Sequence, residues 1–349
     1  MKRIELILII IALISTTLTN LLLKLQDTQR SMGTKYIHPF LQCFCMFLGE
    51  HICLYWYGLQ TKTKTKKQIS SPVLFCLPAI IDLIASCFFT FGLIFCAISV
   101  AQIIYSFQIV ITAILSKLIL KKKSVAQQIT GIVFVFAGVA ITGFASLTEK
   151  EVYVQTYETN STGIILVIIA NILWPIQFVI EERLFRSYNY NALEAIGYEG
   201  LAGTTIFLLL IPFMYNIKCA PFYLDQQKKE VLCALGRLED GIFAIEQMIN
   251  NYWLIVSTVV YILMTSLVNF SMIAIIKHGS AMSSVTVSCI RMVILWVISL
   301  WAGWEEFLMI ELVGFLFVML GSMLFHNVIK VPGFQQEIDD EVEKNIHNS

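Results

Sequence analysis

Acidic residues and one arginine stand inside long apolar stretches of this sequence, where an ionised side chain is costly. Glu50, Asp82 and Arg291 lie deep in such stretches, Glu199 lies nearer to one end of its stretch, and Glu181 lies close to an end. A charge at the middle of a membrane span costs about 2.5–3.5 kcal/mol on insertion scales, so such residues usually face the protein interior and carry function. The pattern predicts a site for a solute or an ion. The alternative is a fixed ion pair, in which Arg291 binds Glu50 or Asp82.

Uncharged polar residues recur at helical spacing in the same stretches. Spacings of three, four and seven residues put each set on one helix face. In lipid those faces must turn inward, so they predict a central cavity. Helix by helix, the sets are Asp82, Ser86 and Thr90; Gln102, Tyr105, Thr112 and Ser116; Asn171, Trp174, Gln177 and Glu181; Ser257, Tyr261, Thr265 and Asn269; and Ser280, Ser284, Ser288 and Arg291.

The composition indicates an integral membrane protein. Apolar residues make up 57% of the chain and charged residues 14%, with a mean hydropathy of +0.76, whereas a soluble domain carries about a quarter charged residues. The net charge of zero gives no reason to expect a nucleic-acid partner. Apolar runs of about 20 residues, the length that crosses a bilayer, predict an all-α protein with ten transmembrane helices. Their ranges are 4–23, 38–59, 72–97, 99–120, 125–147, 162–182, 192–215, 252–276, 280–302 and 307–329.

The basic residues between these runs predict the orientation. If the N-terminus is cytosolic, most Lys and Arg of the short loops fall on the cytosolic side, and both termini are cytosolic. The first run lacks a clear cleavage site and is interpreted as a retained helix. The sequon at Asn160 would then face the opposite side, where glycosylation occurs, with its occupancy open. Cys219 and Cys233 share one loop and fit a disulfide and two free thiols equally well.

One phrase occurs twice in the chain. Gly131 to Gly138 reads GIVFVFAG, and Gly314 to Gly321 reads GFLFVMLG. Superposing the two pairs helices one to five with helices six to ten, and halves with an odd number of helices must be inverted, as in many secondary transporters. Residues seven apart lie on one helix face, so these glycines predict close packing rather than substrate contact. The predicted organisation is a first repeat at 1–147, a lumenal loop at 148–161, a second repeat at 162–329 and a cytosolic acidic tail at 330–349.

The longest loop, 216–251, lies inside the second repeat. Val231, Leu235, Leu238, Ile242, Ile245 and Met248 recur there at helical spacing. They predict an amphipathic helix, which either lies on the lumenal membrane surface or packs on the bundle as a lid. Glu182, at the predicted end of the sixth helix, is interpreted as a solvated residue.

Short motifs from the second helix to the tenth resemble a known family. They are His38-Pro39-Phe40-Leu41-Gln42, Met46-Phe47-Leu48-Gly49-Glu50, Gln177 with Glu181-Glu182, Glu199-Gly200-Leu201, Leu238-Glu239-Asp240, Arg291 and Gly303-Trp304-Glu305. Ten helices in two inverted halves resemble the drug/metabolite transporter superfamily. The motifs resemble solute carrier family 35, subfamily F, in the group of its sixth member.

This resemblance implies an EamA-type carrier in an endomembrane, such as a lysosome, a vacuole or the Golgi, rather than in the plasma membrane. It implies the lipid bilayer and a small-molecule substrate as partners, without naming the substrate. The chain departs from the family pattern at three positions. Tyr105 stands where the family has an arginine, and Ser284 and Ser288 stand in place of an arginine and an aspartate.

The sequence therefore predicts a secondary carrier that works by alternating access. A nucleotide sugar carries a diphosphate and calls for several Lys or Arg, but the cavity offers Arg291 against several carboxylates. We expect a cationic, zwitterionic or neutral metabolite, with a nucleotide-sugar carrier as an alternative. A carboxylate removed from water binds a proton more readily, so Glu50 or Asp82 could couple transport to protons.

The sequence is also compared with two other classes of protein, a membrane scaffold and an enzyme. A non-transporting membrane scaffold is an alternative, although inward polar stripes would then be unnecessary. An enzyme is not expected, because the sequence has no HExxH, GxSxG or phosphate-binding motif. We predict no metal site and no cofactor, since no Cys/His cluster has metal-binding spacing. The oligomeric state is open, with a homodimer as one alternative.

Overall fold

The computed structural model describes residues 3–61, 72–94, 98–121, 126–148, 161–188, 190–218, 237–301, 307, 309–325 and 329. Asn160, Cys219, Cys233, Val231, Leu235 and the tail 330–349 lie outside the described residues. Gln102 lies in a helix, but its side chain is outside the described part.

The described chain is built of helices, and a small β-hairpin joins the first two of them. The helices are α1 (Arg3–Thr28), α2 (Pro39–Thr61), α3 (Cys76–Ile94), α4 (Ile98–Ile119), α5 (Ala126–Thr148), α6 (Ser161–Ser187), α7 (Ala192–Asn216), α8 (Gly241–Ile249), α9 (Tyr252–His278), α10 (Ala281–Trp301) and α11 (Met309–Phe325). A 3₁₀ turn at Pro72–Phe75 precedes α3. Each of the predicted spans overlaps one of these helices.

Five stretches in the described residues are long and apolar enough to cross a membrane. They are Glu5–Thr28, Val73–Gly92, Ser161–Ser187, Ala192–Asn216 and Tyr252–His278, and four shorter apolar helices accompany them. Large apolar side chains point outward from these helices. Leu209 and Phe213 on α7 are 74% and 63% exposed, as expected of a surface that faces lipid tails. The architecture is that of an α-helical, multi-pass membrane protein.

The sixth predicted helix extends further than the sequence suggested. We predicted its end at residue 182, but α6 continues to Ser187. The interpretation of Glu182 as solvated is therefore wrong, because Glu182 lies inside the helix and is only 2% exposed. Its carboxylate accepts a hydrogen bond from the backbone N–H of Ala281 at 2.9 Å and contacts Arg186 at 2.9 Å. Glu182 thus supplies a hydrogen-bond acceptor to the N-terminus of α10.

A two-strand hairpin, which the all-α prediction missed, joins α1 to α2. Strands β1 (Arg30–Ser31) and β2 (Thr34–Lys35) pair antiparallel. The turn residues Met32 and Gly33 have φ angles of 55° and 83°. Positive φ at both central residues is typical of a type I′ turn, which matches the twist of a short hairpin.

The helix predicted in the long loop is shorter than expected. α8 begins only at Gly241, because Asp240 caps it by accepting a hydrogen bond from the N–H of Phe243 at 3.0 Å. The helix packs on α7 and α9, with Ala244 and Gln247 buried, while Ile242 is 60% exposed. The face of α8 with Ala244 and Gln247 therefore lies on the bundle, as a lid would. The apolar face with Ile242 points away from the bundle.

The duplicated glycines meet in one antiparallel contact, which we call the glycine seam, between α5 and α11. A Cβ atom added to Gly131 would lie 2.7 Å from the carbonyl oxygen of Gly321, and one added to Gly138 would collide with Gly314. Between these contacts the rings of Phe134 and Phe317 stack with centroids 5.4 Å apart. The two backbones touch because no side chain separates them.

Candidate functional site

A row of glycines on α7 brings α2 close to it and places Glu50 in the interior. A Cβ atom on Gly197 would lie 2.6 Å from Leu54 N, and one on Gly200 would lie 2.6 Å from the Cβ of Glu50. Because Glu199 precedes Gly200, the same crossing brings the two carboxylates of α2 and α7 into one region. The motif Glu199-Gly200 therefore supplies both an acidic residue and the glycine that lets α2 and α7 approach closely.

Glu50 lies at the middle of α2 and is 2% exposed. Its Oε1 accepts a hydrogen bond from the Nδ2 of Asn269 on α9 at 2.6 Å. Its Oε2 has no hydrogen-bond partner among the described residues. Asn269 belongs to the polar stripe that we predicted to face inward on α9, so this stripe reaches the acidic residue of another helix.

Three further carboxylates lie within electrostatic range of Glu50. Glu199 is 1% exposed, and its Oε1 lacks a hydrogen-bond partner in the described part of the chain. Glu181 is 2% exposed and accepts a hydrogen bond from Gln177 Nε2 at 2.8 Å. Electrostatic repulsion links these residues with Asp82. We call Glu50, Asp82, Glu181 and Glu199, which come from α2, α3, α6 and α7, the carboxylate cluster.

Asp82 lies against an aromatic wall. Its Oδ1 accepts hydrogen bonds from Trp174 Nε1 at 2.9 Å and from Ser86 Oγ at 3.2 Å. The ring of Trp174 contacts Phe89 and Tyr105, with centroid distances of 5.0 and 6.4 Å. The site therefore combines negative charge with flat apolar surfaces, which together favour organic cations.

Arg291 does not form the predicted ion pair with Glu50 or Asp82. The ion pairs found among the described residues join His38 to Glu239, Arg186 to Glu182 and Arg237 to Asp240. The guanidinium carbon of Arg291 instead lies 5.5 Å from the centroid of the Tyr105 ring. Its Nε has no hydrogen-bond partner in the described ranges. The pairing fails because α10 presents Arg291 to α4, whereas the acidic residues lie on α2 and α3.

The other predicted site residues fall into two groups. Tyr261 and Thr265 are 4% and 2% exposed on the face of α9 that leads to Asn269. Ser284 and Ser288 are buried, but their hydroxyls bond to Met272 Sδ at 3.7 Å and to the carbonyl of residue 284 at 3.3 Å. Ser288 thus bonds its own helix, as buried hydroxyls on helices often do, whereas Ser284 bonds a side chain of α9. No group of three His, Cys, Asp or Glu in the described ranges could hold a metal ion.

Sequence reasoning missed a polar junction at the end of the bundle that carries the hairpin and α8. We call this the hairpin end, and we call His38, Glu239 and Gln247 the latch. His38 Nδ1 lies 2.6 Å from Glu239 Oε1, and His38 Nε2 lies 3.0 Å from Gln247 Oε1. The motifs of His38 and Glu239 were visible in the sequence, but the two residues are 201 positions apart, so the sequence did not indicate their contact.

The chain is similar to membrane carriers over most of its length. A sequence model of the UAA transporter family matches residues 6–329. Solute carrier family 35 member F6 of Pongo abelii is 31% identical over 299 residues, which cover 83% of this chain and 78% of that protein. The Homo sapiens protein of the same name is 30% identical with the same coverage. A solved crystal structure, 11% identical, shares the fold with a TM-score of 0.56 over 93% of this chain and 96% of that chain.

Proposed function

The chain belongs to the UAA transporter family, which makes it a membrane transporter, and we propose that it is a secondary carrier for a cationic or zwitterionic small metabolite. The observation that carries this proposal is the carboxylate cluster. Three buried acidic residues and the half-buried Asp82 form the cluster, and none of the described ion pairs neutralises them. Buried charges without a partner are strongly unfavourable, so a cation that enters the cluster recovers much of that cost.

Oxygen atoms without a partner among the described residues give the cluster hydrogen-bond acceptors for a ligand. Glu50 Oε2 and Glu199 Oε1 are buried and lack partners among the described residues. An ammonium group carries three donors and could satisfy both. Arg291 lies beside Tyr105, and its Nε has no partner in the described part of the chain, so it offers a place for the carboxylate of a zwitterion. A diphosphate would meet one arginine and four acidic residues, which disfavours a nucleotide sugar.

Helix pairing supports two inverted repeats and alternating access. The superposition of the duplicated phrase makes α5 equivalent to α11 and α2 equivalent to α7. Each of these pairs packs antiparallel, as two elements related by a twofold axis in the membrane plane must. Phe134 and Phe317 hold equivalent places in the duplicated phrase and stack on each other. Rocking of one half against the other would expose the carboxylate cluster to each side in turn.

We further propose that Glu50 couples transport to protons, that both termini are cytosolic and that the carrier works in an endomembrane. Glu50 is the member of the cluster with one oxygen bonded to Asn269 and the other without a partner. A proton on the second oxygen would remove its charge and weaken the binding of a cation. Exchange of a proton for the substrate would follow from this competition.

Uptake into proteoliposomes tests the carrier and its substrate class. The panel holds a basic amino acid, thiamine, a neutral amino acid and a nucleotide sugar, each with and without a proton gradient. We expect uptake of a cationic or zwitterionic member, and loss of its gradient dependence in Glu50→Gln. The control is Glu246→Gln, because Glu246 is exposed on α8. Unchanged gradient dependence in Glu50→Gln would refute its coupling role.

The same assay separates the remaining alternatives. Arg291→Gln should weaken uptake of a zwitterion about tenfold and leave uptake of a simple cation unchanged, since only the zwitterion carries a carboxylate. Uptake of the nucleotide sugar alone would contradict the substrate class. If folded protein in both orientations transports no member, the non-transporting scaffold becomes the better hypothesis.

A further inference from the structure

We infer that the latch is a gate that closes the hairpin end of the bundle and must open once in each transport cycle. This inference rests on the proposed carrier function. The latch joins the α1–α2 connection of the first half to the α7–α9 connection of the second half. Its core is the ring of His38, held between Glu239 Oε1 at 2.6 Å and Gln247 Oε1 at 3.0 Å.

The hairpin and α8 extend the same contact between the halves. Gln247 Nε2 donates to Thr34 Oγ1 at 2.8 Å and to the carbonyl of Ser31 at 3.1 Å, and Ser31 Oγ donates to the carbonyl of Gln247 at 2.8 Å. Glu239 Oε2 also accepts from the N–H of Phe40 at 3.2 Å. The junction is shielded from water, because His38, Glu239 and Gln247 are 8%, 3% and 0% exposed. A closed, hydrogen-bonded barrier therefore covers this end.

A row of polar side chains on α9 leads from the hairpin end toward the carboxylate cluster. One face of α9 carries Thr258, Tyr261, Thr265 and Asn269, in order from the hairpin end toward the middle. Thr258 accepts a hydrogen bond from Gln26 of α1 at 3.1 Å, and Asn269 donates to Glu50. An opened latch would admit water and solute along this face.

The chemistry of the two ends differs in a way that suits a gate at the hairpin end. The opposite end is closed by a large apolar cluster that includes Leu8, Cys53, Phe75, Tyr190 and Ile273, whereas the apolar cluster beside the latch is smaller and consists of Tyr36, Leu41, Ala244 and Leu254. Hydrogen bonds between polar groups can be exchanged for water with a small net change in free energy. Separation of an apolar cluster exposes area that water disfavours. The polar latch is therefore the contact that can open and close with little change in stability.

A reversible crosslink tests the gate. Ser31→Cys and Gln247→Cys are combined, because the Ser31 hydroxyl lies against the backbone of residue 247. The reporter is Thr265→Cys, and its modification by a small membrane-impermeant thiol reagent is measured by mass spectrometry in vesicles whose hairpin end faces outward. Oxidation should reduce labelling of residue 265 to background and stop uptake, and a reductant should restore both. The single-cysteine variants are the oxidation controls.

Weakening the latch gives the opposite expectation. Glu239→Gln removes the charge from the bond to His38, and we expect labelling at residue 265 to rise about tenfold. Arg237→Ala, a change beside the latch, should leave labelling unchanged. Equal labelling in the oxidised, reduced and Glu239→Gln proteins would overturn the gate. Failure of the wild type to transport the panel would contradict the carrier proposal, while the labelling readout would still decide whether the latch opens.

Discussion

Buried carboxylates occur both at the ends of the bundle and at its middle, and their surroundings differ. At the ends, Glu182 contacts Arg186 and a backbone N–H, and Glu239 contacts His38 and a backbone N–H. At the middle, Glu50 and Glu199 each keep one oxygen without a partner among the described residues. The first group has the hydrogen-bonding and ionisable partners that a buried charge needs. The second group lacks them, which is what a site for a mobile cation requires.

The largest expected effect is on uptake in Glu199→Gln. The amide keeps the shape of the side chain and removes one charge from the carboxylate cluster. We expect uptake of a cationic substrate to fall about a hundredfold, since a hydrogen bond to a charged group contributes about 1.5–3 kcal/mol. The free energy of unfolding should stay the same or rise, because repulsion from Glu50 and Glu181 decreases. A clear loss of stability would show that Glu199 stabilises the fold, as the paired carboxylates at the ends do.

Glu182→Gln should behave in the opposite way. The change places an amide where a carboxylate binds Arg186 and the N–H of Ala281. We expect the free energy of unfolding to fall by about 2 kcal/mol, with uptake per folded molecule unchanged. Thermal unfolding of the purified protein measures the first quantity, and uptake normalised to monodisperse protein measures the second. An unchanged free energy of unfolding in this variant would contradict the stabilising role of Glu182 and thus the difference between the carboxylates of the ends and of the middle.

Trp174→Phe should have a smaller effect that is confined to the middle. It preserves an aromatic wall but removes the indole N–H that Asp82 accepts at 2.9 Å. One hydrogen bond of about 1 kcal/mol corresponds to a KM about fivefold higher for the transported cation. The matched control is Trp253→Phe, because Trp253 is 69% exposed on α9. Equal changes in the two variants would show that the indole N–H of Trp174 has no special role.

The smallest effect is expected for Arg237→Ala at the hairpin end. Arg237 lies 3.5 Å from Asp240 and stacks on the ring of Tyr215 at 3.7 Å, with its side chain 37% exposed. Exposed pairs of this kind contribute little, so the free energy of unfolding should fall by only about 0.5 kcal/mol. Thermal unfolding checks this value. A loss of unfolding free energy as large as that of Glu182→Gln would mean that exposed and buried ion pairs contribute equally to stability.

The helices were predictable because the length of an apolar run fixes them. Every predicted span overlaps a helix, and errors appear only at ends such as that of α6, where capping and packing decide the last turn. The polar stripes also gave the correct face for Asn269 and Gln177, because helical periodicity determines which residues share a face. The motifs also predicted a transporter family for this chain, and the UAA transporter family model matches residues 6–329.

The partners of the site residues could not be predicted from periodicity. Whether Arg291 contacts Glu50 of α2 or Tyr105 of α4 depends on which helix lies next to α10 and at what depth. Ser284 and Ser288 were indistinguishable in sequence from cavity residues. A serine that bonds its own helix, as Ser288 does, or a side chain of the neighbouring helix, as Ser284 does, has the same spacing. The latch was hidden for a similar reason, since it joins two loops whose approach depends on the packing of the whole bundle.

The glycine seam has a consequence for how such a molecule could arise. Exchange of the two phrases maps Gly131 against Gly321 onto Gly314 against Gly138 and leaves the pair Phe134 and Phe317 in place. Each phrase is therefore complementary to a copy of itself, which is the property of an isologous dimer interface. A chain half as long, with one such phrase, would carry the surface it needs to form a pair. In this protein a single polypeptide holds both copies, so the association that a dimer would reach by concentration is permanent.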